Sequence, residues 1–188
     1  MSLINLRTVS NPNASELAIT LAEAKAHCYI VPEDYSQDEY LTSCIQTAQS
    51  VLENDKTLAV AIFSASYEAT FYTDRARVLL PKSSAKSVES VQSWNGETWQ
   101  TIENFTVEFG NDYDFVVLKD ARRGFLRRLK IEFTAGATTA SEVRLDLKRA
   151  IACLTAQLFE FRSAINSQQV YDNAIYKRIT DGLRRISI

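Results

Sequence analysis

Histidine, glycine and long apolar runs are what this chain has least of. One histidine, His27, serves 188 residues, which excludes sites built on paired imidazoles. The five glycines are scattered, none falls in a Walker or dinucleotide fingerprint, and no G-x-S-x-G elbow occurs. Most nucleotide-dependent, nucleophilic and acid–base enzyme classes lose support together, so an enzyme is not expected. The longest apolar stretches, such as residues 58–63 (LAVAIF), fall far short of the roughly 20 residues that cross a bilayer, and no membrane contact is expected. The first residues lack a basic start followed by a long apolar run, so the chain is expected to be made and kept in a cytoplasm. Three distant cysteines, Cys28, Cys44 and Cys153, fit neither a disulfide framework nor a zinc site. No cofactor and no metal are expected.

The rare polar residues that are present do not assemble into chemistry. His27 and Cys28 are neighbours on a short helix, so they point about 100° apart and cannot act as a dyad. Glu33, Asp34, Asp38 and Glu39 match no calcium loop and read as a solvated helix entrance. Asp112 and Asp114 read as a strand connection.

What the chain does have is organisation. At 188 residues it forms one large domain, or one domain with a substantial insertion. Three Ser/Thr-x-x-Glu sequences, Thr20 to Glu23, Ser36 to Glu39 and Thr139 to Glu142, predict helix starts closed by capping boxes. A short helix follows the first box over about residues 21–29, and Pro32 prevents it from continuing far. Leu41, Ile45, Ala48 and Leu52 share one face of a second helix that runs to about Asn54. Leu147, Ile151, Leu154, Leu158 and Phe161 mark the main helix, over about residues 142–163. Ile175, Ile179, Leu183 and Ile186 mark a last amphipathic segment carrying Lys177, Arg178, Arg184 and Arg185.

Between the second and third boxes the period changes to two. SYEATFYTD alternates, Asn95-Gly96 separates two strand-like runs as a type I′ hairpin would, and DFVVL and RRLKIEFTAG add further strands. The fold class expected is α+β. A helical core of two N-terminal helices, a long C-terminal helix and a basic amphipathic tail carries an inserted antiparallel β-section of five to seven strands. The expected divisions are residues 1–58 for the N-terminal arm and helices, 59–138 for the β-section, and 139–188 for the long helix and tail.

Charge is strongly polarised along the chain. Residues 1–120 carry 8 Lys and Arg against 17 Asp and Glu, net −9, whereas residues 121–188 carry 13 against 6, net +7. Such asymmetry suits nucleic acid, and equally suits head-to-tail self-assembly. The run ARRGFLRRLK, residues 121–130, places Arg122, Arg123, Arg127 and Arg128 where they could contact phosphates. The plainer readings are a solvated turn around Gly124, or a patch that meets the acidic part of a neighbouring subunit. Aromatic residues do not interleave with these arginines as a single-strand binder requires, which ranks self-assembly or a protein partner first.

The stretches ITLAEAKAHCYI, DEYLTSCIQTAQSVLE, VLLPKSSAKSVESVQSWNG and LKIEFTAGATTASEVRLDLKRAIACLTAQLFEFR stand in an order that resembles the head–tail connector proteins of tailed bacteriophages and prophages. These are also called adaptor or head-completion proteins, and often possible DNA-packaging proteins. The resemblance covers most of residues 18–165, with Gly136 at the strand-to-helix junction and Phe161-Arg162 at the end of the long helix. It implies a non-enzymatic virion component at the head–tail interface that assembles as a ring of about a dozen copies under the portal. Such a ring extends the DNA channel, lets DNA pass without sequence-specific contact, and offers a docking platform to tail and stopper proteins. Arg122, Arg123, Arg127, Arg128, Lys177, Arg178, Arg184 and Arg185 are the candidate assembly residues. The C-terminal segment would meet the portal protein or the next subunit and become ordered on assembly, with the β-section facing outward or toward the tail. The rival expectations are a nucleic-acid-binding module that uses residues 122–130 and the basic C-terminal segment, or another virion component such as a tail-completion protein.

Overall fold

The computed structural model describes residues 2–54, 58–110, 113–119 and 127–161, together with 177, 178 and 181. Among these are three α-helices and eight strands, every ladder between strands is antiparallel, and the fold is α+β. The chain divides into two compact units, residues 1–14 with 63–138, and residues 15–62 with 139–188.

The first unit is built on sheets. Strands β1 (Ser2–Ser10), β2 (Ala65–Thr73), β4 (Ala85–Trp94), β5 (Trp99–Thr101) and β8 (Arg127–Ala135) form a five-stranded sheet in the order β1-β2-β8-β4-β5. Strands β3 (Arg77–Leu79), β6 (Phe105–Glu108) and β7 (Phe115–Leu118) form a second sheet in the order β3-β7-β6. The central strand, β8, shows why the sequence folds this way. Leu129, Ile131, Phe133 and Ala135 are fully buried, while Arg128, Lys130, Glu132 and Thr134 between them are half-buried on the other face. Tyr67 stacks on Phe133 at 5.5 Å, and Phe71 and Val91 complete the same apolar layer.

Two features of this unit depart from the sequence reading. Residues 2–10, expected within an N-terminal arm, form β1, an edge strand with bulges near Asn5 and Ser10. Its side chains are exposed on both faces, so no hydrophobic alternation marks it, and the backbone ladder to β2 holds it. The hairpin at Asn95-Gly96 exists, but its loop spans four residues. Gly96 is left-handed (φ 112°) while Asn95 is not, which rules out type I′. Instead the Asn95 side-chain oxygen accepts from the backbone N–H groups of Glu97 and Thr98, so that Trp94 pairs with Trp99.

The second unit is helical, with α1 (Leu21–His27), α2 (Asp38–Asn54) and α3 (Leu145–Glu160). The capping box at Thr20 forms in full. Its hydroxyl accepts from Glu23 N–H at 3.1 Å, and the Glu23 carboxylate accepts from Thr20 N–H at 2.6 Å. The other two boxes do not form as expected. Ser36 donates its hydroxyl to Asp34, and because α2 begins at Asp38 it stands one residue before the cap position. Thr139 opens only a 3-10 turn, Ala140–Glu142. Extended Val143 then breaks the backbone, and the long helix begins at Leu145. On α2 the expected stripe of Leu41, Ile45, Ala48 and Leu52 is wholly buried. On α3, Leu147, Ile151 and Leu154 are buried, whereas Phe161 lies beyond the helix end and is exposed. Gln49 ties the preceding segment to α2, accepting from Ala18 N–H at 2.8 Å and donating to the Glu16 carbonyl at 3.0 Å.

Candidate functional site

The basic run of the sequence is redistributed by the pleat of β8. Arg127 and Arg128 are consecutive on the strand, so their side chains leave on opposite faces. Arg127 lies opposite Thr73, which is buried, and Arg128 lies opposite Tyr72, which is exposed. Lys177 and Arg178 are helical and exposed. Arg122, Arg123, Arg184 and Arg185 lie outside the described residues.

The face that Arg128 joins is aromatic. Gln92 stands opposite Lys130 across the β4–β8 ladder, and two residues on, Trp94 comes to the same face as Arg128. Trp94 meets Trp99 edge-on, with ring centres 5.3 Å apart. The Arg128 guanidinium is 5.4 Å and the Lys130 ammonium 5.3 Å from the centre of the Trp99 ring, both within cation–π range. Arg128 Nε and Gln92 Oε1 are buried without a hydrogen-bond partner among the described residues. Tyr72, Trp94, Trp99, Arg128 and Lys130 thus form one aromatic and cationic patch. Residues separated by more than fifty positions meet there, and reading along the sequence misses it. The missed signal was the register. A two-residue turn at Asn95-Gly96 would set Trp94 against Glu97, whereas the four-residue loop sets it against Trp99.

The same face changes sign along β8. Glu132, four residues from Arg128 and thus about 13 Å along the strand, stands directly opposite Glu68. Like charges in this position repel. Arg7 relieves Glu68 at 3.3 Å, and the Ser90 hydroxyl donates to Glu132 at 3.0 Å. Ser87 and Thr134 both donate their hydroxyls to Glu89, which adds a third carboxylate to this end.

The residues that drew attention as possible catalysts are placed otherwise. His27 is exposed at the end of α1, and Cys28 is half-buried at the cap. Burial pushes the Cys28 thiol above its ordinary range, helped by nearby Cys44, which is the opposite of a nucleophile's tuning. Cys153 is raised by burial in the same way. Asp114 is buried and structural, accepting from Ala85 N–H at 2.9 Å and Gly110 N–H at 3.2 Å. Among the described residues no three His, Cys, Asp or Glu side chains gather as metal ligands, and no helix is long and apolar enough to cross a membrane.

No family model matches the chain, and no curated protein matches it in sequence. Solved structures do share its fold. A chain in the neck of an empty gene transfer agent particle computed with C6 symmetry superposes with a TM-score of 0.72 at 18% identity, covering 98% of this chain and 97% of that one. A chain from the virion of a native gene transfer agent particle gives 0.71 at 18% identity, with the same coverage. A chain in the neck of the native particle computed with C12 symmetry gives 0.67 at 19% identity, again over 98% and 97%. The likeness runs nearly end to end, so the chain shares a fold with chains in the necks of gene transfer agent particles.

Proposed function

We propose that this chain is a structural subunit of a phage or prophage head–tail connector. The observation that carries the reading is the end-to-end fold match to neck chains of gene transfer agent particles, over 98% of the chain. On this reading the protein acts as a ring under the portal, extends the channel through which DNA passes without sequence-specific contact, and presents a platform to tail and stopper proteins. The C6 and C12 symmetries of the matched necks support a cyclic assembly, and the opposite charges of the two parts of this sequence suit a heterologous, ring-closing contact. The basic residues 122, 123, 127, 128, 177, 178, 184 and 185 remain candidates for contacts within the ring or to the portal. A structural role, not a catalytic one, also agrees with the raised thiols and with an exposed histidine at a helix end. The test is a mass measurement in solution, alone and mixed with a portal protein. A closed oligomer or a portal complex is expected, and a strict monomer that joins neither portal nor tail proteins sinks the reading.

A nucleic-acid-binding module is the second reading, favoured by Trp99 lying within cation–π range of both Arg128 and Lys130, an aromatic next to the arginines that the linear sequence does not show. It requires salt-sensitive binding of unspecific DNA by the isolated protein, lost when Arg127 and Arg128 are changed to Glu.

A further inference from the structure

The segment between α1 and α2 is ordered yet holds apolar side chains out in water. Tyr29 is 97% exposed, Val31 62% and Tyr35 72%, and Glu33 and Asp34 stand exposed among them. This is not slack chain. Lys25 on α1 is buried, and its ammonium is 2.7 Å from Asp38, 3.2 Å from the Pro32 carbonyl and 4.6 Å from the centre of the Tyr35 ring. Ile30 N–H donates back to the Lys25 carbonyl at 2.9 Å, which sets Tyr29 in the left-handed region (φ 55°) and turns the chain outward. Asp34 N–H donates to Val31, and the Ser36 backbone and hydroxyl both donate to the Asp34 carboxylate, holding it below the usual carboxylate range. A fixed backbone that exposes two tyrosines and two carboxylates has its ordering cost met before any partner arrives.

From this pair of surfaces we infer that residues 29–35 of one copy of this chain seat on the Tyr72, Trp94, Trp99, Arg128 and Lys130 patch of the next. The inference rests on the connector reading and names the two faces of its ring contact. Each face supplies what the other lacks. Carboxylates meet a guanidinium and an ammonium, and tyrosines meet tryptophans, the residue types that dominate binding energy at interfaces. Because the two faces are different surfaces of one chain, the contact is heterologous and propagates head to tail, closing into a ring when the rotation allows. The patch also has a boundary that favours a compact knob over nucleic acid. A phosphate backbone running along β8 reaches the carboxylates of Glu132 and Glu68 within about 13 Å, while a short loop fits inside that limit.

The experiment is a charge exchange followed by sedimentation velocity over a concentration series, with circular dichroism as the check of folding. Glu33→Lys alone and Lys130→Glu alone are each expected to weaken self-association of the full chain at least about tenfold, and protein carrying both changes to recover most of it. Tyr35→Ser leaves the net charge unchanged and removes the ring beside Lys25, and with folding intact by circular dichroism it is expected to weaken association as well. Higher salt should weaken the wild type and leave the Tyr35→Ser deficit in place. If wild type and all variants assemble alike, the faces are wrong while the connector reading stands. If the wild type assembles neither alone nor with a portal protein, both fail. Unspecific DNA binding that Lys130→Glu abolishes, with association unchanged by Glu33→Lys, overturns the inference in favour of nucleic acid.

Discussion

In the helical unit the buried cation Lys25 fixes partners seven and thirteen residues along the chain, Pro32 and Asp38. In the β unit the buried anion Asp114 also binds locally, to Gly110, but its second tie reaches 29 residues back to Ala85, where β4 begins. The contrast extends to the elements. Helix α1 is started by a box four residues long, whereas β8 owes its place to β2 and β4, whose paired residues lie roughly 35 to 70 positions away. A helix end is therefore decided by neighbours in sequence, and a sheet by neighbours that only folding supplies. Substitutions in the two units should differ in how far along the chain their effects spread.

The largest effect belongs to the sheet. Phe133→Ala removes a fully buried ring that stacks on Tyr67, and is expected to cost about 3–5 kcal/mol in denaturant unfolding. Hydrogen exchange should rise in both β2 and β4, since β8 pairs with each. An increase confined to β8 would break the comparison. Gly136→Ala comes next. Gly136 follows β8 in the left-handed region (φ 106°), and an added Cβ would collide with the Phe63 backbone carbonyl, so a loss of about 3 kcal/mol is expected. Substitution of Asn in its place should not rescue, because the collision is with backbone and is independent of φ preference.

In the helical unit Lys25→Met strips Asp38 and the Pro32 carbonyl of their partner. Asp38 keeps 27% side-chain exposure, so the expected cost is about 2 kcal/mol, below that of a fully buried pair. Limited proteolysis should then cut within residues 29–37 faster than in the wild type. Thr20→Ala should cost about 1 kcal/mol and raise exchange in the first turn of α1 alone. Its pH dependence sharpens the point. The backbone and hydroxyl of Thr20 donate to Glu23 and hold that carboxyl below its ordinary value of 4.5. A depressed folded pKa means stability that is present above pH 4.5 and is lost as the pH falls through the lower folded value. The stability gap between wild type and Thr20→Ala should therefore narrow below pH 4.5, measured by urea melts.

The apolar stripe of α2, the start of α1 and the alternation of β2 and β8 were each determined by the sequence itself, since burial on one face imposes a period of 3.6 or 2 on residues a few positions apart. The same period fails for β1, whose side chains face water on both sides and which only the ladder to β2 orders. Capping sequences carry part of the information. Thr20 stands at the cap of its helix, while α2 begins at Asp38, one residue too late for Ser36 to cap it, a choice of first turn that the Ser/Thr-x-x-Glu spacing does not settle. Tertiary structure alone decided the aromatic and cationic patch. Arginines adjacent in sequence were parted by the pleat, and Arg128 was brought to Trp99 by a hairpin register that depends on whether Asn95 closes a loop of two residues or four. Passing from a two- to a four-residue loop shifts the pairing by two, which keeps each side chain on its face but changes the neighbour it meets, so the contacts of that surface are fixed only once the strands have paired.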